Sequence, residues 1–182
     1  MKSKFGRVIT AMITPFAADG SLDVEGARSL AKWLVEQGNE ALVLAGTTGE
    51  SPTITQDEQI ELVEAVVDAV DVPIIAGAGS NDTRSAIANT QRCVDAGAQA
   101  ILSVTPYYNR PSQAGLMAHF AEVAASTELP IMLYDIPART GRALDADTIL
   151  QLADEVENIV AVKDAAGDVA STARLIAAAP EG

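Results

Sequence analysis

The sequence is poor in the residues that build disulfides and metal cages. It has a single cysteine, Cys93, and a single histidine, His119. One cysteine cannot form an intrachain disulfide or a cysteine-rich zinc site, and this usage is typical of a reducing compartment. His119 falls in the middle of a predicted helix, where a packed or exposed histidine is expected rather than a ligand. We therefore predict no metal site and a cytoplasmic location.

Positive charge and long apolar runs are also scarce. The chain has 12 lysines and arginines against 25 aspartates and glutamates, a formal net charge of −13. This charge disfavours nucleic acid and anionic membranes as partners. Thr10 and Thr14 interrupt the apolar run behind the basic N-terminus, so we expect neither a signal peptide nor a membrane span. Hydrophobic residues still make up 48% of the chain, which suits a soluble globular protein.

What the sequence does contain is a repeat of apolar runs and amphipathic segments, at intervals of roughly 26–33 residues, the size of a βα unit. Most of the runs are continuous rather than alternating, which predicts a parallel sheet covered by helices. The predicted strands are 8–13, 41–45, 72–76, 100–105, 130–134 and 159–164.

Local signals predict where the helices begin and end. Thr55 and Glu58 have the spacing of a capping box. Ser112 and Asp168 are predicted N-caps, and Gly38 has the position of a C-cap. The residues of the second helix predicted to share one apolar face are Ile60, Val63, Val67 and Val70.

Two architectures fit six βα units. One is an open, doubly wound sheet; the other is a (β/α)8 TIM barrel, which typically needs about 250 residues. Residues 179–182 have the composition of a loop before another strand. We favour the barrel, as a single α/β domain over residues 1–182 that covers about the first six βα units and is truncated at its C-terminus.

Lys163 stands at the carboxyl end of the last apolar run, which is predicted to be a strand buried on both faces. Burying an ammonium group is costly, so one interpretation is a side chain that extends from the strand end into water. The other is a partly desolvated amine that forms a Schiff base with a carbonyl substrate. Both interpretations stay open from this segment alone.

Other polar residues follow the remaining strands, at the edge where ligands bind in both architectures. Thr47 and Thr48 lie among glycines, in a turn whose N–H groups could converge on an anion. Tyr108 follows the fourth strand and Tyr134 ends the fifth, with Arg139 five residues on. Each has an ordinary interpretation in a turn, in packing or at the surface. Together with a lysine, these hydroxyls and the arginine indicate a site for a keto acid. The sequence has no dinucleotide-binding motif and no Walker motif that would indicate a nucleotide site instead.

Four segments, in order along the whole chain, resemble the dihydrodipicolinate synthase (4-hydroxy-tetrahydrodipicolinate synthase) family. They are 46–51, 107–111, 134–140 and 162–165. The resemblance implies a (β/α)8 aldolase of lysine and diaminopimelate biosynthesis that condenses pyruvate with L-aspartate-4-semialdehyde. It also implies a homo-oligomer, a dimer of dimers, and no cofactor beyond the covalent iminium that pyruvate forms with a lysine.

The resemblance also implies a role for each matching residue. Lys163 is the Schiff-base lysine, Tyr134 the proton donor and acceptor beside it, Thr47 a hydroxyl of the proton relay, and Tyr108 the tyrosine lent across a tight dimer. A second group of residues would bind the substrates. In this group Thr48 would hold the pyruvate carboxylate and Arg139 the carboxylate of the semialdehyde, and Gly46 is the third substrate-binding residue.

Rival functions share part of this pattern. N-acetylneuraminate lyase and the 2-keto-3-deoxy sugar-acid aldolases also have the glycine–threonine loop, the tyrosine and the lysine, but Arg139 favours a second carboxylate over sugar hydroxyls. A non-catalytic barrel fragment, with open edges at strands one and six, is the other alternative.

Lysine inhibition is one family property that the resemblance does not carry over in full. Family members that lysine inhibits have ionisable groups where this chain has Gln56, Gln59 and Ser85, although Asn81 and Tyr107 remain. We therefore expect weak lysine feedback or none.

Overall fold

The computed structural model describes residues 5–180, and within them strands and helices alternate as predicted. The strands are Ile9–Ala11 (β1), Ala41–Leu44 (β2), Ile74–Gly77 (β3), Ala100–Val104 (β4), Ile131–Asp135 (β5) and Ile159–Asp164 (β6). The helices are Val24–Glu36 (α1), Gln56–Val67 (α2), Thr83–Asp95 (α3), Gln113–Ala125 (α4), Pro137–Thr140 (α5), Ala146–Glu155 (α6) and Val169–Ala178 (α7).

The strands form one sheet in the order β1-β2-β3-β4-β5-β6. The pairs β1–β2, β2–β3 and β5–β6 are parallel. The predicted α/β class is therefore confirmed, and the chain supplies six βα units of a (β/α)8 barrel. By its contacts the chain divides into two compact units, which are described in turn. The single domain over residues 1–182 stays a prediction.

The first unit comprises residues 5–77 and 92–101. All four residues of β2 are buried, because β2 is paired on both sides. The capping box at the start of α2 is present: Thr55 accepts the N–H of Glu58, and the Glu58 carboxylate accepts the N–H of Thr55. Asp23 caps α1, and Gly38 follows that helix with a φ of +93°.

The predicted buried face of α2 is partly wrong. The helix ends at Val67, so Val70 lies outside it. Val63 is buried as predicted, whereas Ile60 and Val67 are only half-buried. The other buried residues of the helix are Gln59, Leu62, Ala65 and Val66.

The second unit comprises residues 78–91 and 102–180. In α4 the apolar residues Leu116, Phe120 and Val123 are buried, and Ser112 caps the helix as predicted by accepting the N–H of Gly115. Asp168 caps α7 by accepting the N–H groups of Ala170 and Ser171. His119, in the middle of α4, is buried, in agreement with a packed histidine.

The prediction that the lysine strand is buried on both faces is wrong. Val160 is 37% exposed, and Ala161 and Val162 are only half-buried. Among the described strands, β6 pairs with β5 alone, so no neighbouring strand covers its other side. Among the described strands, β1 likewise has a neighbour on one side only, β2. It is shorter than predicted, and Val8 and Ile13 are exposed.

One helix was not predicted. The single turn α5 begins with Pro137, whose fixed φ suits the first helical position, and ends at Gly141 with a φ of +74°. Glu181 and Gly182, part of the predicted terminal loop, lie outside the described residues. None of the helices in the described part of the chain is long and apolar enough to cross a membrane.

Candidate functional site

The threonine loop, residues 46–51, follows β2 in the first unit. Gly46 is buried, Thr47 is half-buried and Thr48 is exposed. The loop closes on itself: Glu50 donates its N–H to the carbonyl of Thr47 at 3.2 Å, and Ser51 donates to that of Gly46 at 3.3 Å. The turn therefore holds two adjacent hydroxyl side chains at the carboxyl end of a buried strand.

Close backbone contacts fix this loop in place. Thr14 donates its hydroxyl to the carbonyl of Gly49 at 2.6 Å. A β-carbon on Gly49 would lie 3.1 Å from both the nitrogen of Ala45 and the carbonyl oxygen of Met12. A β-carbon on Gly77, in β3, would lie only 2.4 Å from the carbonyl oxygen of Ala45. At Gly77 the chains approach too closely for a side chain, whereas at Gly49 a β-carbon would fit only if its neighbours moved by a few tenths of an ångström.

In the second unit, Lys163 and Tyr134 face each other as register partners at the ends of β6 and β5. The Nζ atom of Lys163 lies 4.5 Å from the centroid of the Tyr134 ring. Tyr134 is only 5% exposed, whereas Lys163 is half-buried. The arrangement brings a primary amine and a phenol together at the strand ends, as predicted. An amine so placed can attack a carbonyl, and a phenol beside it can carry a proton.

The next residue pair in the same register is two carboxyl groups, Asp135 and Asp164. Asp164 is exposed and accepts the N–H of Ala166. Asp135 is 3% exposed, and burial raises the pKa of its carboxyl group, with the charges of Asp164 and Asp145 acting in the same direction. The reasoning from sequence gave Asp135 no role, although an acidic residue that ends an apolar strand was a visible signal.

The arginine loop, residues 136–144, follows β5 and carries Arg139 on α5, with the side chain exposed. Leu144 donates its N–H to Asp135 Oδ1 at 3.1 Å, which closes the base of the loop. Inside the loop, Thr140 donates its hydroxyl to the carbonyl of Arg142 at 2.8 Å.

The tyrosine loop, residues 106–111, exposes 42% of Tyr107 and 91% of Tyr108. Its backbone is unusual, because Tyr108 and Arg110 have φ values of +74° and +46°. Tyr108 donates its N–H to the carbonyl of Thr140 at 3.3 Å. The guanidinium of Arg110 packs against Gly141, where an added β-carbon would lie 3.0 Å from Arg110 Nε. The tyrosine and arginine loops therefore brace each other.

The residues at the predicted lysine-feedback positions all have local partners. Gln56 accepts a hydrogen bond from Arg92 at 3.0 Å, and Ser85 donates to Asp82 at 2.6 Å. The Ser85 hydroxyl holds the pKa of Asp82 below its ordinary value. Gln59 donates to the carbonyl of Gly77 at 2.7 Å.

The remaining candidate groups have structural surroundings. Burial raises the pKa of the Cys93 thiol to about 11, so this cysteine is not a nucleophile near neutral pH. Within residues 5–180, no three histidine, cysteine, aspartate or glutamate side chains are grouped so that they could hold a metal ion.

Known proteins resemble this chain along nearly its whole length. Residues 4–182 match the model of the Dihydrodipicolinate synthetase family. A 4-hydroxy-tetrahydrodipicolinate synthase of Acidothermus cellulolyticus is 56% identical over 175 residues, which cover 95% of this chain and 56% of the relative.

Solved structures give the same result. A dihydrodipicolinate synthase of Bacillus anthracis superposes with a TM-score of 0.95 at 44% identity, covering 100% of this chain and 62% of the other. A synthase of Cyanidioschyzon merolae, solved with lysine bound, gives a TM-score of 0.94 at 47% identity, covering 97% of this chain and 61% of the other. The chain thus spans about three fifths of the length of these proteins. It belongs to the dihydrodipicolinate synthetase family.

Proposed function

We propose that the protein containing this chain is a 4-hydroxy-tetrahydrodipicolinate synthase, a lyase that condenses pyruvate with L-aspartate-4-semialdehyde. The observation that carries this proposal is the contact between Lys163 Nζ and the ring of Tyr134, 4.5 Å apart, in a chain of this family. The product would serve lysine and diaminopimelate biosynthesis, as the names of the relatives suggest.

In the proposed reaction, Lys163 Nζ attacks the carbonyl carbon of pyruvate, and loss of water leaves an iminium. The iminium withdraws electrons from the adjacent methyl group, which loses a proton and becomes the nucleophilic carbon of an enamine. That carbon forms a bond with the aldehyde carbon of the semialdehyde. The amino group of the semialdehyde then attacks the iminium carbon, which closes the ring and releases Lys163.

Each proton transfer needs a nearby carrier. Tyr134 suits this task because its phenol lies beside the amine and away from bulk water. We assign Thr47 to the same relay, and Tyr108 as the tyrosine that a second copy of the chain lends. The 91% exposure of Tyr108 leaves the side chain available to a second copy of the chain, which supports a homo-oligomer. A dimer of dimers is the arrangement that we propose. No cofactor enters these steps; this, like the cytoplasmic location, stays a prediction.

The two substrates each carry a carboxylate, and two loops supply groups for them. We assign Thr48, with the backbone at Gly46, to pyruvate. We assign Arg139 to the semialdehyde, because a guanidinium binds a carboxylate through two parallel hydrogen bonds. The exposed arginine on α5 also favours the synthase over a sugar-acid lyase, whose second substrate lacks that carboxylate.

The test is to trap the iminium. The complete protein in which this sequence occurs is incubated with pyruvate and reduced with borohydride, and its peptides are weighed by mass spectrometry. We expect the reduced pyruvate adduct on the peptide with Lys163 and not on that with Lys32, which serves as the internal control. Lys163→Arg should abolish the adduct. An adduct elsewhere, or none, would refute the proposed function.

A further inference from the structure

We propose that Asp135 is a positioning residue: its carboxyl group holds the arginine loop so that Arg139 can bind the semialdehyde carboxylate. The inference rests on the function proposed above, and the contacts that support it lie within the second unit.

The carboxyl group of Asp135 is placed where an unsatisfied group would be costly. It is 3% exposed, and a buried carboxyl destabilises the fold unless it is hydrogen-bonded. Its Oδ1 accepts the N–H of Leu144, itself buried, at 3.1 Å. Its backbone carbonyl accepts the N–H of Ala165 at 2.8 Å. Asp135 is thus anchored to the sheet through its backbone and to the end of the arginine loop through its side chain.

Arg139 depends on the ends of its loop for its orientation. It lies on α5, which has four residues, and a helix this short has little stability of its own. The far end of the loop is tied twice, by Leu144 to Asp135 and by Ala143, whose carbonyl accepts from Gln113 at 3.0 Å. The Gln113 tie leads to helix α4, whereas the Asp135 tie leads to the strand that also carries Tyr134. Of the two ties at the far end, the Asp135 tie is therefore the one that joins the loop directly to the strand of the lysine–tyrosine pair.

The position of Asp135 argues against a direct part in proton transfer. Successive side chains of a strand point to opposite faces of the sheet. Tyr134, the residue before Asp135, turns its ring towards Lys163. The Asp135 carboxyl therefore lies on the other face and acts through the loop that it holds.

The test compares Asp135→Ala with Asp135→Asn in the complete protein. The asparagine keeps an oxygen that can accept the Leu144 N–H, and the alanine does not. We expect Asp135→Ala to raise the KM for aspartate-4-semialdehyde about tenfold, the effect of one lost buried hydrogen bond. The yield of borohydride-trapped iminium with pyruvate should not change. Asp135→Asn should restore the KM to within about threefold of the wild type.

Hydrogen exchange gives a second readout that does not need turnover. The Leu144 amide should exchange faster in Asp135→Ala than in the wild type, and Asp135→Asn should restore its protection. Asp145→Ala is the matched control, since it removes an exposed neighbouring carboxylate that makes no capping hydrogen bond. It should change neither the KM nor the exchange. If Asp135→Ala does not fold, Asp135→Ser, whose hydroxyl is too short to reach Leu144, takes its place.

Three results would overturn the proposal: an unchanged KM in Asp135→Ala, an equal loss in Asp135→Asn, or a parallel loss of the iminium. A wild type that forms no iminium would refute the proposed function instead. Exchange at the Leu144 amide would then decide whether Asp135 holds the loop. Faster exchange in Asp135→Ala, but not in Asp135→Asn, would support the hydrogen bond from Leu144 to Asp135 as the contact that holds it. Unchanged exchange in Asp135→Ala would refute it.

Discussion

The threonine loop and the arginine loop follow strands of the same sheet, yet they are held in different ways. The threonine loop is fixed largely by close backbone approach at Gly49 and Gly77, together with the hydrogen bond from the Thr14 hydroxyl to the Gly49 carbonyl. The far end of the arginine loop is fixed by two side chains, Asp135, which accepts a hydrogen bond, and Gln113, which donates one. The middle of the arginine loop contacts the tyrosine loop.

The difference indicates how each loop can change. Close backbone packing tolerates almost no substitution, because even one methyl group must displace its neighbours. Side-chain ties can be removed singly, each at a modest cost. If the proposed function is correct, the loop for the common substrate is rigid, and the loop for the second substrate is adjustable.

The largest expected effect comes from removing the binding group of each loop. Arg139→Ala should lower kcat/KM for the semialdehyde by about 10- to 150-fold, the equivalent of about 1.5–3 kcal/mol for a charge-assisted contact. Iminium formation with pyruvate should be unchanged. Thr48→Val should do the reverse, weakening pyruvate binding and leaving the KM for the semialdehyde nearly unchanged. Steady-state kinetics and borohydride trapping measure both. A similar loss of iminium in the two variants would contradict the division of labour.

A substitution in the backbone contact should affect stability. Gly77→Ala places a β-carbon 2.4 Å from the Ala45 carbonyl oxygen, so the chain must shift where the threonine loop begins. We expect the free energy of unfolding in urea to fall by about 1–3 kcal/mol. Gly115→Ala is the control, since that helical glycine has its nearest neighbour at 3.3 Å, and it should change stability by less than about 1 kcal/mol. Equal losses in the two variants would show that the contact at Ala45 is not special.

Acid should weaken the support of the arginine loop through His119. This residue lies on α4, the helix that carries Gln113, and burial lowers the pKa of its imidazole, opposed in part by the charge of Asp82. The unfolded chain, with an ordinary histidine pKa of about 6.5, binds a proton more readily than the folded chain.

The free energy of unfolding should therefore decrease as the pH falls below about 6.5, towards the lower pKa of the folded state. Urea titrations between about pH 5 and 7.5 measure it, and His119→Gln, which keeps a partner for Thr83, should flatten the profile. If His119→Gln leaves the pH dependence of the unfolding free energy unchanged, groups other than His119 cause the loss of stability in acid. Asp135 acts with the opposite sign, because its raised pKa favours proton binding by the folded state on acidification.

The smallest expected effect is that of lysine. In this chain Gln56 is held by Arg92 and Ser85 by Asp82, and neither glutamine nor serine can be ionised to bind an amino acid by charge. The Cyanidioschyzon merolae protein was solved with lysine bound. For the protein containing this chain we expect weak inhibition or none at millimolar lysine, measured by initial rates. Clear partial inhibition at lower concentrations would contradict this.

Much of the fold follows from local rules. Helix caps at Thr55, Ser112 and Asp168 are chemical properties of a few adjacent residues, and all three are present. The exposure of Val160 does not follow from local rules, because it depends on whether another strand lies alongside β6; it agrees with the open edge that a truncated barrel is expected to have at strand six. The turn α5 was missed because four residues show no helical period.

In the candidate site, too, some features could be predicted from the sequence and others could not. The placement of Lys163 and Tyr134 at one edge of the sheet follows from two parallel strands that end there, whereas their position beside each other was expected only from the family resemblance. The tie from Asp135 to Leu144 and the contact of Tyr108 with Thr140 join loops through single hydrogen bonds. Such contacts leave no periodic pattern in a sequence, and three-dimensional structure is needed to find them.

The left-handed backbone of Tyr108 sets two kinds of selection against each other. A residue with a β-carbon pays about 1–2 kcal/mol to adopt this conformation, and glycine does not. Selection for heat resistance or expression alone should therefore favour glycine at this position and remove the phenol. If Tyr108 has the role proposed above, selection for turnover should restore the tyrosine at the expense of stability. On the same proposal, a thermostabilised version of this protein would have to leave position 108 untouched and gain its stability elsewhere.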